Sequence, residues 1–443
     1  MIALLGGGSL CCGWMNTVRL HPPDRADPRS AAAARPDIAG CAGSLPADPT
    51  IAVILALMRS ASPVPVMRQR SRRKRLYEGE QRMKVLFAGG NGYYPEFSGG
   101  VQSSTHHLVQ QLRERGHEAG VLAALFGDGM FGFKQRVKLK LSSERGVMDS
   151  FPGYPVVRAW HPWEAAAFAV KKLQPDVAVV QCHKSVPIGK ALQVHNVPLV
   201  IYLRNVEFHE LAGDLRELTS AYYIANSEFT ARAYKQKFGI DSVVIPPTIN
   251  PETYTTRTTG EYVTFINPYK EKGFELAVQI AGQCPDIPFL FVESWKLADD
   301  HRAEIEKIIA PLGNVRLENR TSDMKTVYGR TKILLAPSKW EEAWGRVASE
   351  AHCSGIPVVG SRRGGLPEAI GEGGIVLDYD APLDDWTGAI RRLWSDEAEY
   401  GRLSQAASTF AKRPLMQPAR QFAAFLEVLE RAAASRPAQL KAS

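Results

Sequence analysis

The sequence predicts an α/β protein of two doubly wound units facing a central cleft, and three observations carry that prediction. From Met83 onward, short apolar runs alternate with helical stretches. A break rich in proline and threonine, PPTINPETYTTRTTGEY from Pro246 to Tyr262, divides the series into two halves. In each half a strand ends in a glycine-containing loop that runs straight into a helix, as at Gly99-Gly100 and at Gly273. Strand–helix alternation of this kind gives a parallel sheet covered on both faces. Two such units joined by a linker leave a cleft where ligands bind beyond the C-terminal strand ends.

In chain order, the first half supplies candidate strands at VLFAG (85–89), AGVLAAL (119–125), DVAVVQC (176–182), PLVIYL (198–203), YYIAN (222–226) and SVVIP (242–246). A helix is expected over Val101–Arg115, stopped by Gly116. After the break come YVTFIN (262–267), PFLFVE (288–293), VRLEN (315–319), ILLAP (333–337), PVVGS (357–361) and GIVLD (374–378). Near the end, Phe422, Phe425, Leu426 and Leu429 fall at helical spacing and predict an amphipathic core-packing helix. The resulting division is an N-terminal extension over 1–82, one unit over 83–248, a second over 249–405, and a helix packing back on the core within 406–443.

Composition bounds the functional classes. The 443 residues are 45% hydrophobic and 23% charged, an ordinary globular balance with room for two or three folding units. The apolar run Ile51–Met58 is far shorter than the roughly 20 residues a membrane-spanning helix needs. The net charge of +8 is concentrated: residues 1–82 hold twelve Lys/Arg against six Asp/Glu, chiefly in RQRSRRKR at 68–75. A basic tail of this sort reads first as a solvated segment, with anionic lipid or nucleic acid as the other readings. The opening MIALLGGG lacks a basic n-region, and Met83 looks like a second start, so 1–82 is expected to be a disordered or mistranslated extension. The six cysteines show no CxxC or His/Cys spacing, which argues against a zinc site or disulfide framework and for a reducing, cytoplasmic setting.

Three segments could carry chemistry. In GGNGYYPEFSGGVQSSTHHLV (89–109), the amides and dipole at the helix start after Gly99-Gly100 suit a phosphate, although a plain tight turn explains the glycines equally well. In INPYKEKGFELAV (266–278), Lys272 could neutralise a leaving diphosphate, where by itself a loop lysine would be merely solvated. In APSKWEEAWGRVASEAHCSGIPVVGSRRGGLPEAI (336–370), Glu342 and Glu350 stand eight residues apart around Trp344-Gly345, and Gly364-Gly365 follow a short strand. Paired carboxylate oxygens suit the vicinal hydroxyls of a sugar and a ribose. Isolated glutamates would be surface residues; the order of glycines, lysine and carboxylates argues otherwise.

That order resembles the large family of retaining glycosyltransferases with the two-Rossmann GT-B fold, the family-4 group. The resemblance runs from Met83 to about residue 430 and rests on Gly99-Gly100, Ser227-Glu228, Asn250, Lys272-Gly273, the Glu342/Glu350 pair and GGLPE at 364–368. It implies an N-terminal Rossmann-like unit on the acceptor side and a C-terminal one holding a nucleotide sugar. It implies Glu342 at the donor sugar's hydroxyls, Glu350 at the ribose, and Lys272 at the diphosphate. Gly99, Gly100, Gly345, Gly365 and Leu366 would line the donor, and His183, after DVAVVQC, would face sugar and acceptor. Two departures stand out: Asn267 occupies the place of a phosphate-binding arginine, with Lys270, Arg362 and Arg363 as possible substitutes, and Arg204-Asn205 replaces a common His-Asp pair.

The expected reaction is transfer of a glycosyl group from a nucleoside-diphosphate sugar to a glycan or lipid-linked acceptor hydroxyl. Retention at the anomeric carbon, by front-side departure and attack, is implied by the family. No DxD-like carboxylate pair fits a phosphate-bridging site, so no metal and no cofactor beyond the donor substrate is expected. Polysaccharide or surface-glycan synthesis is the commonest setting, at a cytoplasmic location or the inner face of the membrane. A sugar-nucleotide 2-epimerase of the same plan is the enzymatic alternative. A basic membrane- or nucleic-acid-binding protein is the other, although nucleic acid is not an expected partner. The stretch FKQRVKLKL (133–141) reads first as a solvated loop or helix face, with anionic lipid as the second reading and peripheral membrane contact its consequence.

Overall fold

The computed structural model describes residues 82–435 apart from Lys296; the extension expected over 1–82, Arg82 excepted, lies outside the described residues. The first unit contains β1 (Lys84–Gly92), α1 (Gly100–Glu114), β2 (Glu118–Ala124), α2 (Gly129–Leu141), β3 (Val147–Asp149) and β4 (Val156–Ala159). It continues with α3 (Ala166–Leu173), β5 (Val177–Gln181), α4 (Ser185–Gln193), β6 (Leu199–Leu203), β7 (Tyr222–Ala225), α5 (Glu228–Phe238) and β8 (Val243–Val244). Its sheet has the order β3-β4-β2-β1-β5-β6-β7-β8, and only β3 against β4 is antiparallel.

Alternation of side chains along a strand explains how one sheet serves two cores. On β1, Val85 and Phe87 pack with Leu108 and Leu112 of α1, whereas Leu86 and Ala88 pack with Ala169 of α3 and Ile188 of α4. The short pair β3 and β4 was not foreseen. Arg158 interrupts the apolar run of β4, yet it is fully buried, where Asp149 accepts from its Nε at 2.6 Å and Glu96 lies at 3.7 Å. A buried guanidinium is tolerable only with such partners, and neither is adjacent in sequence.

The second unit contains α6 (Pro251–Tyr254), β9 (Tyr262–Ile266), α7 (Phe274–Gln283), β10 (Phe289–Val292), α8 (Asp299–Ile309), β11 (Val315–Glu318) and α9 (Lys325–Tyr328). Then come β12 (Thr331–Ala336), α10 (Arg346–His352), β13 (Val358–Ser361), α11 (Leu366–Ile370), β14 (Gly374–Leu377), α12 (Leu383–Ser395) and α13 (Glu397–Ala411). The sheet, β11-β10-β9-β12-β13-β14, is parallel throughout. Phe265, Phe289, Phe291 and Trp386 centre one of its cores.

The last helix, α14 (Pro418–Ala434), joins the first unit's core instead of the second's. Its Phe425 ring lies 6.2 Å from that of Phe87 and 6.3 Å from that of Tyr202, and the Arg115 guanidinium sits 4.1 Å over Phe422. The chain thus crosses between units twice, at the linker and before α14. Among the described residues no helix is long and apolar enough to cross a membrane.

A further tie comes from GGLPE. The Glu368 carboxylate accepts the backbone N–H groups of Glu228 at 2.8 Å and Phe229 at 2.6 Å, at the start of α5, while Ser227 Oγ accepts from Thr230 at 2.9 Å. First-turn amides have no partner within their own helix, and a carboxylate there also meets the positive dipole end. Glu368→Ala is expected to cost about 1 kcal/mol, the typical loss of a cap. A urea midpoint that does not move would show this contact to be idle.

Candidate active site

The C-terminal ends of both sheets supply the site. In the second unit β9 ends at Ile266, and Asn267 then adopts φ 70°, the left-handed region that asparagine tolerates better than most residues. Its side-chain oxygen accepts the Trp295 N–H at 3.1 Å, and its own N–H donates to the Val292 carbonyl at 2.7 Å. Asn267 therefore binds the loop after β10 to the end of β9. The arginine expected at this place has been exchanged for a turn-forming, loop-holding residue.

A short 3₁₀ turn, Lys270–Lys272, carries the chain to Gly273 and α7. Lys272 Nζ lies 5.5 Å from the Trp295 ring and 5.7 Å from the Trp340 ring, and donates to Glu342 Oε1 at 2.6 Å. Ser338 Oγ donates to the same oxygen at 2.9 Å. Glu342 Oε2 has no hydrogen-bond partner among the described residues. The carboxylate is thus oriented through one oxygen, and the other keeps its acceptor capacity. The pair retains access to solvent, with 21% and 18% of the two side chains exposed.

Glycines shape the wall beside it. Gly345 has φ 92°, and a Cβ there would come within 2.5 Å of Leu366 Cδ1, so the turn into α10 excludes any side chain. The Gly365 N–H donates to the Glu342 carbonyl, and the Leu366 N–H to the Arg363 carbonyl at 3.1 Å. Both amides, expected to meet phosphate or sugar oxygens, are engaged here in holding GGLPE against the Glu342 loop. Glu341 completes that contact by accepting the Gly364 N–H at 2.6 Å.

Glu350 lies on α10 and is buried. Its Oε2 accepts from the Tyr328 hydroxyl at 3.0 Å, and its Oε1 lies 3.3 Å from Arg346 Nη2. Burial pushes its carboxyl upward in pKa, opposed by the Arg346 charge and the Tyr328 bond. Arg346 also reaches across the cleft. Its Nη1 donates to Ser104 Oγ of α1 at 3.2 Å and to the Thr248 carbonyl at 3.4 Å, and its Cδ is 3.5 Å from where a Cβ on Gly100 would stand. One guanidinium joins α1, the linker and α10. Sequence reasoning missed it; its one local signal was the four-residue spacing to Glu350, which places both on one helix face.

On the first unit, Gly99 and Gly100 open α1 without a side-chain cap. Gly90, at the end of β1, donates its N–H to the His183 carbonyl at 2.8 Å, and a Cβ on Gly90 would lie 2.6 Å from that oxygen. His183 is flanked by Cys182 at φ 60° and Lys184 at φ 62°, two non-glycine residues in the left-handed region. Backbone strain of this kind gathers where a side chain must be held in place. Burial lowers the His183 pKa, and Lys184 and His209 push the same way. All three effects favour the neutral imidazole. If neutral His183 is needed for turnover, the acid limb of kcat/KM lies below pH 6.5, because a lowered pKa extends the neutral form to more acid solution. His183→Asn should remove that limb; an unchanged profile would take His183 out of the reaction.

Arg204, in place of the expected His-Asp pair, stacks on Tyr202 at 4.0 Å, and its Nε and Nη2 are buried without hydrogen-bond partners among the described residues. Of the other candidate cations, Lys270 lies near Glu275 at 3.7 Å, Arg362 pairs with Asp378 at 2.9 Å and Arg363 with Glu341 at 3.5 Å. Among the described residues no group of three or more His, Cys, Asp or Glu side chains gathers as a metal site.

Comparison with known proteins identifies the family and the fold. Residues 98–253 match the model of Glycosyltransferase Family 4, and residues 252–410 match that of Glycosyl transferases group 1. A D-inositol 3-phosphate glycosyltransferase of Corynebacterium kroppenstedtii is 39% identical over 93 residues, 20% of this chain and 20% of that protein. Spore coat protein SA of Bacillus subtilis is 29% identical over 150 residues, 31% of this chain and 40% of its own length. The chain thus spans well under two thirds of these relatives. Among solved structures, Anabaena HepE in complex with UDP and glucose superposes with a TM-score of 0.63 at 20% identity, covering 79% of this chain and 100% of that one. Sucrose-phosphate synthase from Thermosynechococcus elongatus gives 0.61 at 17% identity, with 80% and 100% covered. At such identities the likeness is one of fold, the GT-B arrangement of two parallel-sheet domains.

Proposed function

We propose, since the chain belongs to the family-4, group 1 glycosyltransferases, that it moves a sugar from a nucleoside-diphosphate donor to an acceptor hydroxyl with retention. The observation that carries this reading is the Lys272–Glu342 pair, 2.6 Å apart at the C-terminal edge of the second sheet. In this reaction the bond from the anomeric carbon to the diphosphate oxygen breaks and the nucleoside diphosphate departs. The acceptor oxygen bonds to the same face of the sugar and passes its proton to the departing phosphate. Charge grows on the leaving group, so cations aimed there lower the barrier. Lys272 is one such cation. Arg346 is the other, replacing the arginine that Asn267 displaced, since it lies beside the first residues of α1. These two charges do the work a bridging metal would otherwise do, so the reaction is proposed to be metal-independent.

Glu342 accepts from hydroxyls of the donor sugar, and Glu350 orders the ribose side. That HepE was solved with UDP and glucose supports a uridine nucleotide as the first donor to try. The first unit faces a glycan or lipid-linked acceptor, and the setting is polysaccharide or surface-glycan assembly at the cytoplasmic side of the membrane. A thermal-shift series with UDP, GDP and ADP sugars tests the donor. A bound ligand raises the midpoint with its affinity, about 2.7 kcal/mol of stabilisation at a hundredfold excess over Kd. No shift with any nucleotide sugar would sink the reading.

A further inference from the structure

Helix α2 is unlike any other helix of the first unit in what it turns to solvent. Its inward face is Gly132 and Gln135, with Gly132 so close to Gly127 that a Cβ would lie 2.3 Å from the Gly127 carbonyl carbon. At 3.6 residues per turn, Met130, Phe133, Val137 and Leu141 share the opposite face. These four side chains are 75%, 52%, 42% and 83% exposed. Lys134 and Lys138 border that stripe on one side, Arg136 and Lys140 on the other, and no Asp or Glu lies between Gly129 and Leu141.

The patch continues past the helix. A Cβ on Gly127 would lie 2.8 Å from both Arg136 Cδ and Trp160 Cη2, so the half-exposed Trp160 stands beside the helix. Exposed Phe126, just past β2, meets Phe97 of the glycine-rich loop with ring centroids 5.7 Å apart. The apolar surface therefore runs from α2 to the C-terminal edge of the first sheet.

We propose that α2 docks this protein on an anionic lipid bilayer, lying in the interface with its apolar stripe among the acyl chains and its four cations at the headgroups. An exposed apolar stripe is costly in water unless something covers it. A polyanion such as nucleic acid would use the cations and leave the stripe wet, whereas an anionic bilayer satisfies both. The half-exposed Trp160 beside this helix is of the residue type favoured at a membrane interface, with an apolar body and a polar edge. The inference goes beyond the transfer reaction and does not depend on it.

Flotation of the full chain with vesicles tests it. The protein should rise with phosphatidylglycerol vesicles and stay behind with phosphatidylcholine ones. Lys134→Gln, Arg136→Gln, Lys138→Gln and Lys140→Gln together should weaken partitioning more than a hundredfold, at about fivefold per cation. Phe133→Ser with Leu141→Ser, which keeps every charge, should weaken it at least tenfold. Both variants change exposed side chains, and an unchanged melting temperature shows that each is folded. Undiminished flotation of either variant overturns the proposal. So does binding to a short oligonucleotide that the serine variant retains while wild-type protein ignores vesicles.

Discussion

Replacing Glu342 by alanine is expected to lower kcat about 10²–10³-fold, the usual loss when one preorganised polar contact is removed from a reacting centre. The nucleotide's Kd should change little. Glu342 Oε1 is fixed by Lys272 Nζ at 2.6 Å and Ser338 Oγ at 2.9 Å, so its orientation is set before any donor arrives. Alanine removes the carboxylate proposed to accept from the donor sugar and strands the lysine charge between Trp295 and Trp340. Glu342→Gln keeps the shape and the Ser338 contact while removing the charge, and its kcat should fall between those of alanine and wild type. Single-turnover kinetics with the donor identified by thermal shift provides the check. Near-normal transfer by the alanine variant would reject the assignment.

The second large effect is expected at Arg346. Arg346→Leu takes away the cation beside the buried Glu350 and cuts the bridge to Ser104 and the Thr248 carbonyl. Breaking a fully buried ion pair costs roughly 3–5 kcal/mol. Arg346 keeps 24% of its side chain in solvent, so about 2–3 kcal/mol is expected here. Nucleotide affinity should fall as well. Adding Glu350→Leu separates the two effects. The double variant no longer buries an unpaired carboxylate and should regain much of the stability, yet it should bind nucleotide no better. Urea unfolding and nucleotide titration on both variants measure this. A double variant as unstable as the single would show that the pair does not account for the loss.

Much of this molecule was legible before its structure. The twelve candidate strands all form; the central ones announce themselves because a parallel strand buried on both faces is apolar throughout, while the edge strands Val243–Val244, Val315–Glu318 and Gly374–Leu377 are only partly buried. The same rule hid β4, where Arg158 is buried against partners on other segments, Glu96 in the loop after β1 and Asp149 on β3. At the site, Glu342 and Lys272 were readable as residue types in the right order. Asn267 was readable as a departure, but its reason was not, since that reason is a left-handed turn and a bond to Trp295. Gly365 and Leu366 are expected from the sequence to line the donor; that their amides also hold the turn against the Glu342 loop is visible only in the fold.

What the sequence determined alone was the local grammar: periodicity, turn residues and their order, and through these two doubly wound units with carboxylates and a lysine at strand ends. Those features act over a few residues, so neighbours in the chain suffice to encode them. Tertiary structure alone decided which distant groups meet. It put α14 on the first sheet, set Arg346 between α1 and Glu350, and turned the apolar stripe of α2 outward. Burial and charge pairing are properties of space shared by segments far apart in sequence, and only the folded chain specifies that space.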